Sequence, residues 1–361
     1  MNHLLQKPLI TTIIPTYRRP KLLRRAICSV LNQTYPHFQV CVYDNASGDE
    51  TAEVVAEIAK KDSRVKYHCH SENIGSAKNF AFGMKHVDTP FFSFLADDDL
   101  LVPNFYQITL EGFNKYPEAM FSTTGYISID EKMRPRRIGL RGWQNGIYYP
   151  PDGFIKDIRT AAISILTTLY RREVIEKAGL IDENFTYFID EYIPRLTTKL
   201  PYVVSTIPCY ITWIHESSAS NAGKIKASAF FSDFNLFIDK TRQWVLSMDI
   251  PEEIRQDIIS HVKQMRKPTI YYYLCLRSIL NKDFGNAAEA IDILREKLNA
   301  KRVFGLELTL RFLKTFPWIL NFIYPLLEIQ RYVKSYKNRW ILHSAGYLED
   351  VLQAIRKASS N

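Results

Sequence analysis

Asp97, Asp98 and Asp99 stand consecutively at the end of a short apolar run, in the segment FFSFLADDDLLVP. The run has the length and composition of a buried β-strand. If that strand belongs to an open α/β sheet, the acids lie at the edge where such sheets bind ligands. Three adjacent negative charges repel one another, and a cation among them relieves that repulsion. Carboxylates that have no thiol or imidazole beside them suit Mg²⁺ or Mn²⁺.

An acidic turn of this kind also has a plainer interpretation, as a solvated turn that opens a helix. Two other predicted strands favour a site, because each of them also ends in polar residues. The first ends at Pro15, Thr16 and Tyr17, and the second ends at Asp44 and Asn45. The carboxyl ends of parallel strands meet at one edge of a sheet, so these residues are expected to converge with the aspartates.

The first half of the chain alternates between strand-like and helix-like patterns. Apolar runs at 9–14, 39–43, 65–68 and 91–95 are separated by segments with helical periodicity. This alternation predicts the α/β class, with a mostly parallel sheet that is flanked by helices. After about residue 222 long helical patterns dominate, so we predict a catalytic-type domain at 1–222 and a mainly helical region at 223–361.

The composition excludes several kinds of protein. The chain has 361 residues, a net charge of +9 and five scattered cysteines without a CxxC pair. That cysteine pattern favours a reducing compartment and disfavours a structural zinc site. The N-terminus does not have the pattern of a signal peptide, and no apolar stretch has the length of about 18 residues typical of a spanning helix. We therefore expect a cytoplasmic protein.

The basic balance is compatible with phosphate-bearing substrates or an anionic membrane surface. Nucleic-acid binding is disfavoured, because the basic residues are spread along the chain while acids concentrate at the predicted sheet edge. The chain contains no GxG, no GxxxxGK[ST], no HExxH and no GxSxG. The chain therefore lacks the core motifs of four enzyme classes: dinucleotide-dependent oxidoreductases, P-loop NTPases, zincins and α/β-hydrolases.

Four segments resemble family 2 glycosyltransferases in order and spacing. They are ITTIIPTYRRPKLLRRAICSVLNQTY, VCVYDNASGDET, ENIGSAKNFAF and FFSFLADDDLLVP, which together cover about residues 9–103, and a weaker match continues to about 220. The resemblance implies the GT-A fold, a Rossmann-like nucleotide-sugar-binding fold. It also implies metal-dependent, inverting transfer of a sugar from a nucleotide diphosphate donor, most often a UDP-sugar, to a hydroxyl acceptor.

The resemblance also assigns residues to the donor. They are Pro15, Thr16 and Tyr17 against the base, Asp44 at the base or ribose, Asn73 and Gly75 in a turn that borders the nucleotide, and Lys78 near the diphosphate. Lys78 departs from the family, which often has an arginine there, and a solvated helix lysine is its plainer interpretation. For Asp44 the plainer interpretation is an Asx turn or a helix cap.

The acidic turn would be the metal motif of the family. Asp99 is the expected metal ligand, and Asp97 or Asp98 would contact the ribose or a bridging water. His215 follows a late predicted strand and resembles a family histidine that reaches the metal or the diphosphate. A structural histidine is the alternative for this position.

An inverting transfer needs a carboxylate that removes the proton from the acceptor hydroxyl. In the family this acid belongs to an acidic pair that precedes Arg-Leu, and here Asp190 and Glu191 precede Arg195 and Leu196. We predict Asp190 as the base, with Glu191 next and Asp182 third. The alternative is that these acids cap a helix or pair with Arg195.

The C-terminal part contains a basic aromatic segment at 311–339, in which six lysines and arginines flank aromatic and aliphatic residues. It resembles an amphipathic segment that lies on an anionic membrane. Packing against the catalytic domain or a second subunit in an oligomer is the alternative. We predict a saccharide or glycolipid acceptor, such as a lipid-linked saccharide for a surface polysaccharide, at the inner face of the membrane. A non-catalytic scaffold with a glycosyltransferase-like fold is the alternative function.

Overall fold

The computed structural model describes residues 9–160, 162–215, 226–265, 268–298 and 303–320, together with Gln353. Packing divides the chain into two compact units. We call the described residues up to Asn184, together with Ile189–Trp213, the sheet unit. We call Phe185–Phe188, together with the described residues from Ile214 to Leu320, the helical unit. The predicted boundary between 222 and 223 stays a prediction.

Within the described ranges, the sheet unit is built on one ten-stranded sheet. The strands are β1 (Ile10–Thr16), β2 (Phe38–Asp44), β3 (Val65–Cys69), β4 (Phe91–Phe94), β5 (Leu100–Leu101), β6 (Phe121–Asp130), β7 (Pro135–Ile138), β8 (Gly146–Tyr148), β9 (Thr168–Arg171) and β10 (Tyr202–Ile214). The main order across the sheet is β3-β2-β1-β4-β9-β6-β10-β5, while β7 pairs with β6 and β8 pairs with β10.

Helices connect these strands. They are α1 (Pro20–Leu31), α2 (Thr51–Lys61), α3 (Ser76–Lys85), α4 (Phe105–Lys115), α5 (Asp152–Thr160), α6 (Glu173–Ala178) and α7 (Tyr192–Thr197). Pro20 opens α1, where its missing N–H costs no helical hydrogen bond. Buried residues such as Leu23, Ile27 and Val30 recur at helical spacing and turn one face of α1 toward the sheet.

The α/β class predicted from the alternation is confirmed. β1 pairs in parallel with both β2 and β4, and β2 pairs in parallel with β3. The later strands β5, β6, β8, β9 and β10 enter through antiparallel pairings. Since β1, β2 and β4 run in the same direction, their carboxyl ends lie at the same edge of the sheet.

Hydrophobic cores cover both faces of this parallel part. Ile10 and Ile14 belong to one buried cluster, whereas Ile13 belongs to the other, with Phe92 and Phe94. A central parallel strand is expected to be apolar on both sides, because helices pack on each face of the sheet. The stretch at 134–157 is rich in glycine, proline and arginine, and this composition predicts a long loop. That prediction was wrong, since the stretch contains β7, β8 and the start of α5.

The helical unit contains the predicted C-terminal helices. They are α8 (Ala227–Ser247), α9 (Glu252–Met265), α10 (Pro268–Leu280), α11 (Phe284–Asp292) and α12 (Val303–Thr315), and a π-helical turn (Ile293–Lys297) follows α11. Residues 321–339 of the predicted basic aromatic segment lie outside the described residues. No helix within the described ranges combines the length and the apolar character needed to cross a bilayer.

Asp233 on α8 fixes the short loop that the helical unit takes from the middle of the chain. Its carboxylate is buried and accepts backbone N–H groups from Thr186, Tyr187 and Phe188, at distances down to 2.6 Å. A buried carboxylate that is satisfied by several backbone donors stabilises its charge without a cationic partner. The loop therefore has a defined conformation.

We expect Gly83→Ala to destabilise the sheet unit. A Cβ atom at this position of α3 would lie 2.5 Å from Cγ2 of Ile13 and 3.2 Å from the ring of Tyr43. Ile13 is fully buried in β1, so the helix must shift, at a cost of about 1–3 kcal/mol. This exceeds the helix propensity of about 1 kcal/mol that alanine gains over glycine. Urea denaturation of both proteins measures the difference.

Gly285→Ala is the matched control, because Gly285 lies in α11 and an added Cβ would meet only the Asp283 side chain at 3.7 Å. We expect this variant to be as stable as the parent protein or slightly more stable. Equal stability of the Gly83→Ala variant and the parent would contradict the close packing of α3 on β1.

Candidate functional site

The carboxyl ends of β1 and β4 are joined by the first aspartate of the acidic turn. The hydroxyl of Thr16 donates to Oδ2 of Asp97 at 2.8 Å, and the backbone N–H of Tyr17 donates to the same oxygen at 3.4 Å. Thr16 also pairs with Asp44 across β1 and β2. The structure therefore brings together the three strand ends from which the sequence predicted a site.

The turns after β1 and β2 are locked to each other. The backbone N–H of Arg18 donates to the Ser47 hydroxyl at 2.8 Å, and Nε of Arg18 donates to the Ser47 carbonyl at 3.1 Å. Arg18 and Ala46 have φ angles of 55° and 60°, in the left-handed region that side chains disfavour. Such conformations persist where the surroundings enforce them, and they cluster at binding and catalytic sites.

Asp44 holds the turn that follows β2. Its buried carboxylate accepts the backbone N–H of Ser47 at 3.0 Å and the hydroxyl of Tyr67 at 2.6 Å. The Asx-turn interpretation therefore describes one oxygen of this side chain. Its contact with a base or ribose stays a prediction.

Asn45 ties the end of β2 to the turn that precedes α3. Its Nδ2 donates to Oδ1 of Asn73 at 2.9 Å, and its Oδ1 accepts the N–H of Ile74 at 2.8 Å. The N–H of Gly75 closes the turn on Asn73 at 3.0 Å, and Gly75 has a φ of +89°, which favours glycine. Asn45 was predicted to lie at this sheet edge, but its contacts with the turn before α3 were not predicted.

An open cavity of about 360 Å³ lies beside this turn. Its lining residues are Glu72, Asn73, Ile74, Lys78, Phe82, Lys85 and Glu183. Two residues that the sequence assigned to the nucleotide, Asn73 and Lys78, thus share one concave surface. Lys78 is exposed in the first turn of α3, where its ammonium group has room to reach an anion.

The guanidinium group of Arg19 supplies a positive charge to the acidic turn. Its Nη1 donates to Oδ1 of Asp97 at 3.0 Å and to Oδ2 of Asp98 at 2.8 Å. One guanidinium nitrogen therefore bridges two neighbouring carboxylates. Arg19 was not among the residues predicted from the sequence, although a basic residue just before the proline that opens α1 was an available signal.

Asp99 points in another direction and anchors the turn to β10. Its Oδ2 accepts the hydroxyl of Tyr210 at 2.7 Å, and its Oδ1 accepts the backbone N–H of Trp213 at 2.8 Å. Asp99 is buried, and β5 continues from it to pair with β10 at Leu101 and Tyr210. Both carboxylate oxygens of the expected metal ligand thus already have protein donors.

Burial disfavours the ionised forms of the aspartates in the acidic turn. Desolvation raises the pKa of Asp97 to about 6, the charge of Asp98 adds to that rise, and Arg19 and Thr16 oppose it. Desolvation also raises the pKa of Asp99 well above its ordinary value, again with Asp98 contributing. An added positive charge at this turn therefore favours the ionised form of the acids.

No group of three or more His, Cys, Asp or Glu side chains is arranged to hold a metal ion in the described part of the chain. Mg²⁺ bound with a nucleotide commonly takes only one or two carboxylates, and the phosphates and water supply the rest. Asp97 and Asp98 could supply these one or two carboxylates, since both already form ion pairs with the cation Arg19. His215 is buried directly after β10, and its predicted role stays a prediction.

The two acids of the predicted base motif have different surroundings. Asp190 is exposed to solvent, and its Oδ1 accepts the Ser164 hydroxyl and the Ile165 backbone N–H, each at 2.9 Å. Desolvation by the surrounding protein raises the pKa of Asp190, although these two bonds lower it. Part of the residue is therefore accessible from solvent, while nearby protein atoms disfavour the charge of its carboxylate.

Glu191 is instead buried. Its Oε1 lies 3.5 Å from Nη2 of Arg195 and accepts the backbone N–H of Asp182 at 3.4 Å. Asp182 itself accepts the N–H of Asn184 at 3.0 Å in a local turn. The structural alternative raised in the sequence analysis, pairing with Arg195, therefore describes Glu191.

Asp157 on α5 is a buried acid that was not among the site residues predicted from the sequence. Desolvation raises its pKa to about 8, the N–H of Ile163 lowers it, and the charge of Asp190 raises it further. Asp157 and Asp190 thus accept backbone donors from the same short segment, at Ile163 and Ile165 respectively. A carboxyl group that keeps its proton at neutral pH accompanies the predicted base.

Residues 11–179 match the family model described as Glycosyl transferase family 2. An uncharacterized glycosyltransferase of Rickettsia conorii is 38% identical over 123 residues, which are 34% of this chain and 20% of the relative. The GalNAc(5)-diNAcBac-PP-undecaprenol beta-1,3-glucosyltransferase of Campylobacter jejuni is 35% identical over 96 residues, which are 26% of this chain and 31% of the relative. With two further Rickettsia relatives the chain spans only 23% and 25% of their lengths.

Solved structures share the fold at low sequence identity. Staphylococcus aureus TarS 1-349 in complex with UDP-GlcNAc has a TM-score of 0.60 and 16% identity, over 83% of this chain and 88% of that one. The mannosyltransferase PcManGT of Pyrobaculum calidifontis, in complex with GDP-Man and Mn²⁺, has a TM-score of 0.52 and 14% identity, over 92% of this chain and 88% of that one.

We expect Arg19→Ala to bind Mn²⁺ more tightly than the parent protein when no nucleotide is present. The substitution removes a positive charge that lies within 3.0 Å of both Asp97 and Asp98. Loss of that competing charge is expected to raise Mn²⁺ affinity about tenfold or more. Titration calorimetry or the electron paramagnetic resonance of free Mn²⁺ measures the affinity.

Arg19→Lys keeps the charge and is expected to bind Mn²⁺ almost as weakly as the parent protein. Arg24→Ala removes an arginine of α1 that pairs instead with Glu57, and it is expected to leave Mn²⁺ binding unchanged. Unchanged or weaker Mn²⁺ binding by Arg19→Ala would mean that the aspartates are not the cation site.

We expect Asp157→Asn to remove part of the pH dependence of stability. The folded-state pKa of about 8 lies above the ordinary value of a carboxyl group, so the folded protein binds this proton more tightly than the unfolded chain does. The resulting stability is complete below about pH 4 and is lost as the pH rises to about 8. Asparagine does not ionise, so the variant lacks this loss.

Urea denaturation of both proteins at pH 5 and pH 8 is the measurement for Asp157. The free energy of unfolding of the parent protein is expected to fall between these values by about 1 kcal/mol or more beyond the fall of the variant. Parallel changes in the two proteins would show that Asp157 is not a proton-binding group of this kind.

Proposed function

Because residues 11–179 belong to glycosyl transferase family 2 and the chain has the GT-A fold, we propose that it transfers a sugar from a nucleotide diphosphate donor to an acceptor hydroxyl. The observation that carries this proposal is the meeting of three strand ends at one sheet edge, where Thr16, Asp44 and Asp97 lie side by side. Open α/β sheets bind nucleotides at this edge.

The donor base would lie against Pro15, Thr16 and Tyr17, and Asp44 would accept from the base or ribose. Tyr17 supports this placement, since it is 38% exposed at the end of β1 and offers a ring for stacking. The structural neighbours named above hold UDP-GlcNAc and GDP-Man, which supports a nucleotide sugar as donor. UDP is the nucleotide that we propose.

The diphosphate would lie between the acidic turn and α3, where Asn73 and Lys78 line the cavity and Gly75 directly precedes the helix. A Mg²⁺ or Mn²⁺ ion held with the diphosphate would offset the charge on the departing nucleoside diphosphate. We propose Asp98 and Asp97 as its ligands and His215 as a group near the diphosphate. Asp99, the ligand expected from the sequence, would instead hold the turn in place through Tyr210 and Trp213.

Asp190 would remove the proton from the acceptor hydroxyl as that oxygen attacks the donor sugar in a single, inverting displacement. Its exposed carboxylate is oriented by Ser164 and Ile165, and its raised pKa brings it closer to the neutral range that suits a general base. Glu191 would support the loop through Arg195 rather than take the proton.

The acceptor that we propose is a saccharide carried on a lipid. This follows from the name of the Campylobacter relative, which acts on an undecaprenol-linked saccharide, and from the basic aromatic character of 311–339. Such an acceptor would place the chain at the surface of a membrane. The expected cytoplasmic location and an oligomeric state stay predictions.

The test combines donor binding with transfer. We expect one nucleoside diphosphate, with UDP first in the panel, to raise the melting temperature of the full chain when Mn²⁺ is present, because a ligand that binds only the folded state stabilises it. Asp190→Asn is expected to show the same shift and to lose transfer by about 10²- to 10⁴-fold, the usual contribution of a general base. A sugar-nucleotide hydrolysis and transfer assay measures the loss.

Two control variants make the base assignment specific. Asp182→Asn is expected to transfer at nearly the parent rate, because its side chain closes a local turn with Asn184 and an asparagine can do the same. Glu191→Gln is expected to lower the melting temperature. Its folded fraction is expected to transfer sugar at nearly the parent rate. Full transfer by Asp190→Asn would remove it as the base, and the absence of any nucleotide shift would favour the non-catalytic scaffold.

A further inference from the structure

Helix α12 carries apolar residues on two different faces. Val303 and Leu313 are buried in the core of the helical unit. Phe304, Leu308 and Phe312 are spaced four residues apart on another side, and they are exposed by 71%, 51% and 52%. Residues at i and i+4 are neighbours on a helix surface, so these three side chains form one continuous row.

The row continues beyond the end of the helix. Phe316 packs beside Phe312, with ring centroids 5.3 Å apart, and it is 42% exposed. Trp318 follows with 58% exposure. We call Phe304, Leu308, Phe312, Phe316 and Trp318 the α12 ridge. Large apolar side chains that stand together on a surface mark a place where another body docks.

The charges next to the ridge are positive. Arg311 and Lys314 are exposed on α12. The acid of this helix, Glu307, forms an ion pair with Arg295 of the preceding π-helical turn, so that its charge is offset. The sequence directly beyond, at 321–339, adds four lysines and arginines against one glutamate.

We propose that the α12 ridge inserts into the headgroup region of a bilayer that contains anionic lipids. Phenylalanine, leucine and tryptophan beside lysine and arginine are the composition of helices that lie in the membrane interface. Anionic headgroups complement the positive charges beside the ridge. A second copy of this chain is a poorer partner, because two such ridges would bring Arg311 and Lys314 against their own like charges.

This inference goes beyond glycosyl transfer and does not need it. Vesicle binding is measured without nucleotide, sugar or acceptor, so its failure leaves the proposed transferase activity untouched. The converse also holds, since an inactive protein could still bind vesicles. If both are correct, the ridge would hold the chain at the surface where a lipid-carried acceptor is presented.

The experiment is flotation of the full chain with vesicles of phosphatidylcholine alone and with vesicles that also contain phosphatidylglycerol. We expect the parent protein to float with the anionic vesicles, to float far less with the neutral ones, and to be released by added salt. The double variant Phe304→Ser/Phe312→Ser is expected to bind the anionic vesicles at least tenfold more weakly. Its circular dichroism and melting temperature should match those of the parent, because both positions are exposed.

Leu246→Ser/Leu276→Ser is the matched control. It removes two exposed leucines from α8 and α10, with exposures of 56% and 46%, and it leaves the ridge intact. Its vesicle binding is expected to equal that of the parent protein. Arg311→Gln/Lys314→Gln should weaken binding to the anionic vesicles and leave the weak binding to neutral vesicles unchanged.

Three results would overturn the proposal. One is undiminished binding of the Phe304→Ser/Phe312→Ser variant to anionic vesicles. Another is equal loss of binding in the Leu246→Ser/Leu276→Ser control, which would indicate nonspecific hydrophobic adsorption to the vesicles. The third is self-association of the parent protein in analytical ultracentrifugation that disappears in the ridge variant while neither protein floats, since the ridge would then contact a second copy.

Discussion

Three adjacent carboxylates in a largely buried turn repel one another unless hydrogen-bond donors or a cation compensate their charges, and this constraint organises the sheet unit. Asp97 uses Thr16 of β1, Asp97 and Asp98 share Arg19, and Asp99 uses two donors from β10. The partners come from two distant parts of the chain, residues 16–19 and residues 210–213. The acidic turn therefore joins the parallel half of the sheet to its antiparallel half, and the site exists only when both halves have formed.

The same arrangement holds the site in conformations that the chain would not adopt alone. Arg18 and Ala46 have left-handed backbones, and burial raises the pKa values of Asp97, Asp99 and Asp157. The left-handed residues oppose folding, and so do the buried carboxyl groups when the pH favours their ionisation; the two hydrophobic cores of the sheet unit offset this cost. The aspartates are therefore already positioned for a ligand that brings positive charge to the acidic turn. The strand-end residues are likewise already positioned for a nucleobase.

The sequence was sufficient for the class of fold and for the strand ends, because apolar period and turn residues are local signals. It did not reveal Arg19 or Asp157 as parts of the site, because the carboxylates that Arg19 contacts lie 78 and 79 positions away and Asp157 lies in a stretch that was predicted to be a loop. It also did not show that Asn45 contacts Asn73 and Ile74, which lie 28 and 29 positions away. Nor did it separate the parallel strands from the antiparallel ones, since pairing direction depends on how the long connections return. Local patterns predict elements, whereas charge neutralisation depends on which elements meet.

Asp190 and Glu191 show why the role of an acid is decided by its surroundings. The two are neighbours with the same chemistry, and a sequence pattern admits either as the base. One is exposed and held by a hydroxyl and a backbone N–H, whereas the other is buried against Arg195. A base must reach the acceptor oxygen and must also bind a proton readily, and an ion pair with arginine opposes the second requirement. Burial and the charge of Asp190 both raise the pKa of Asp157, so these two acids do not favour being ionised together.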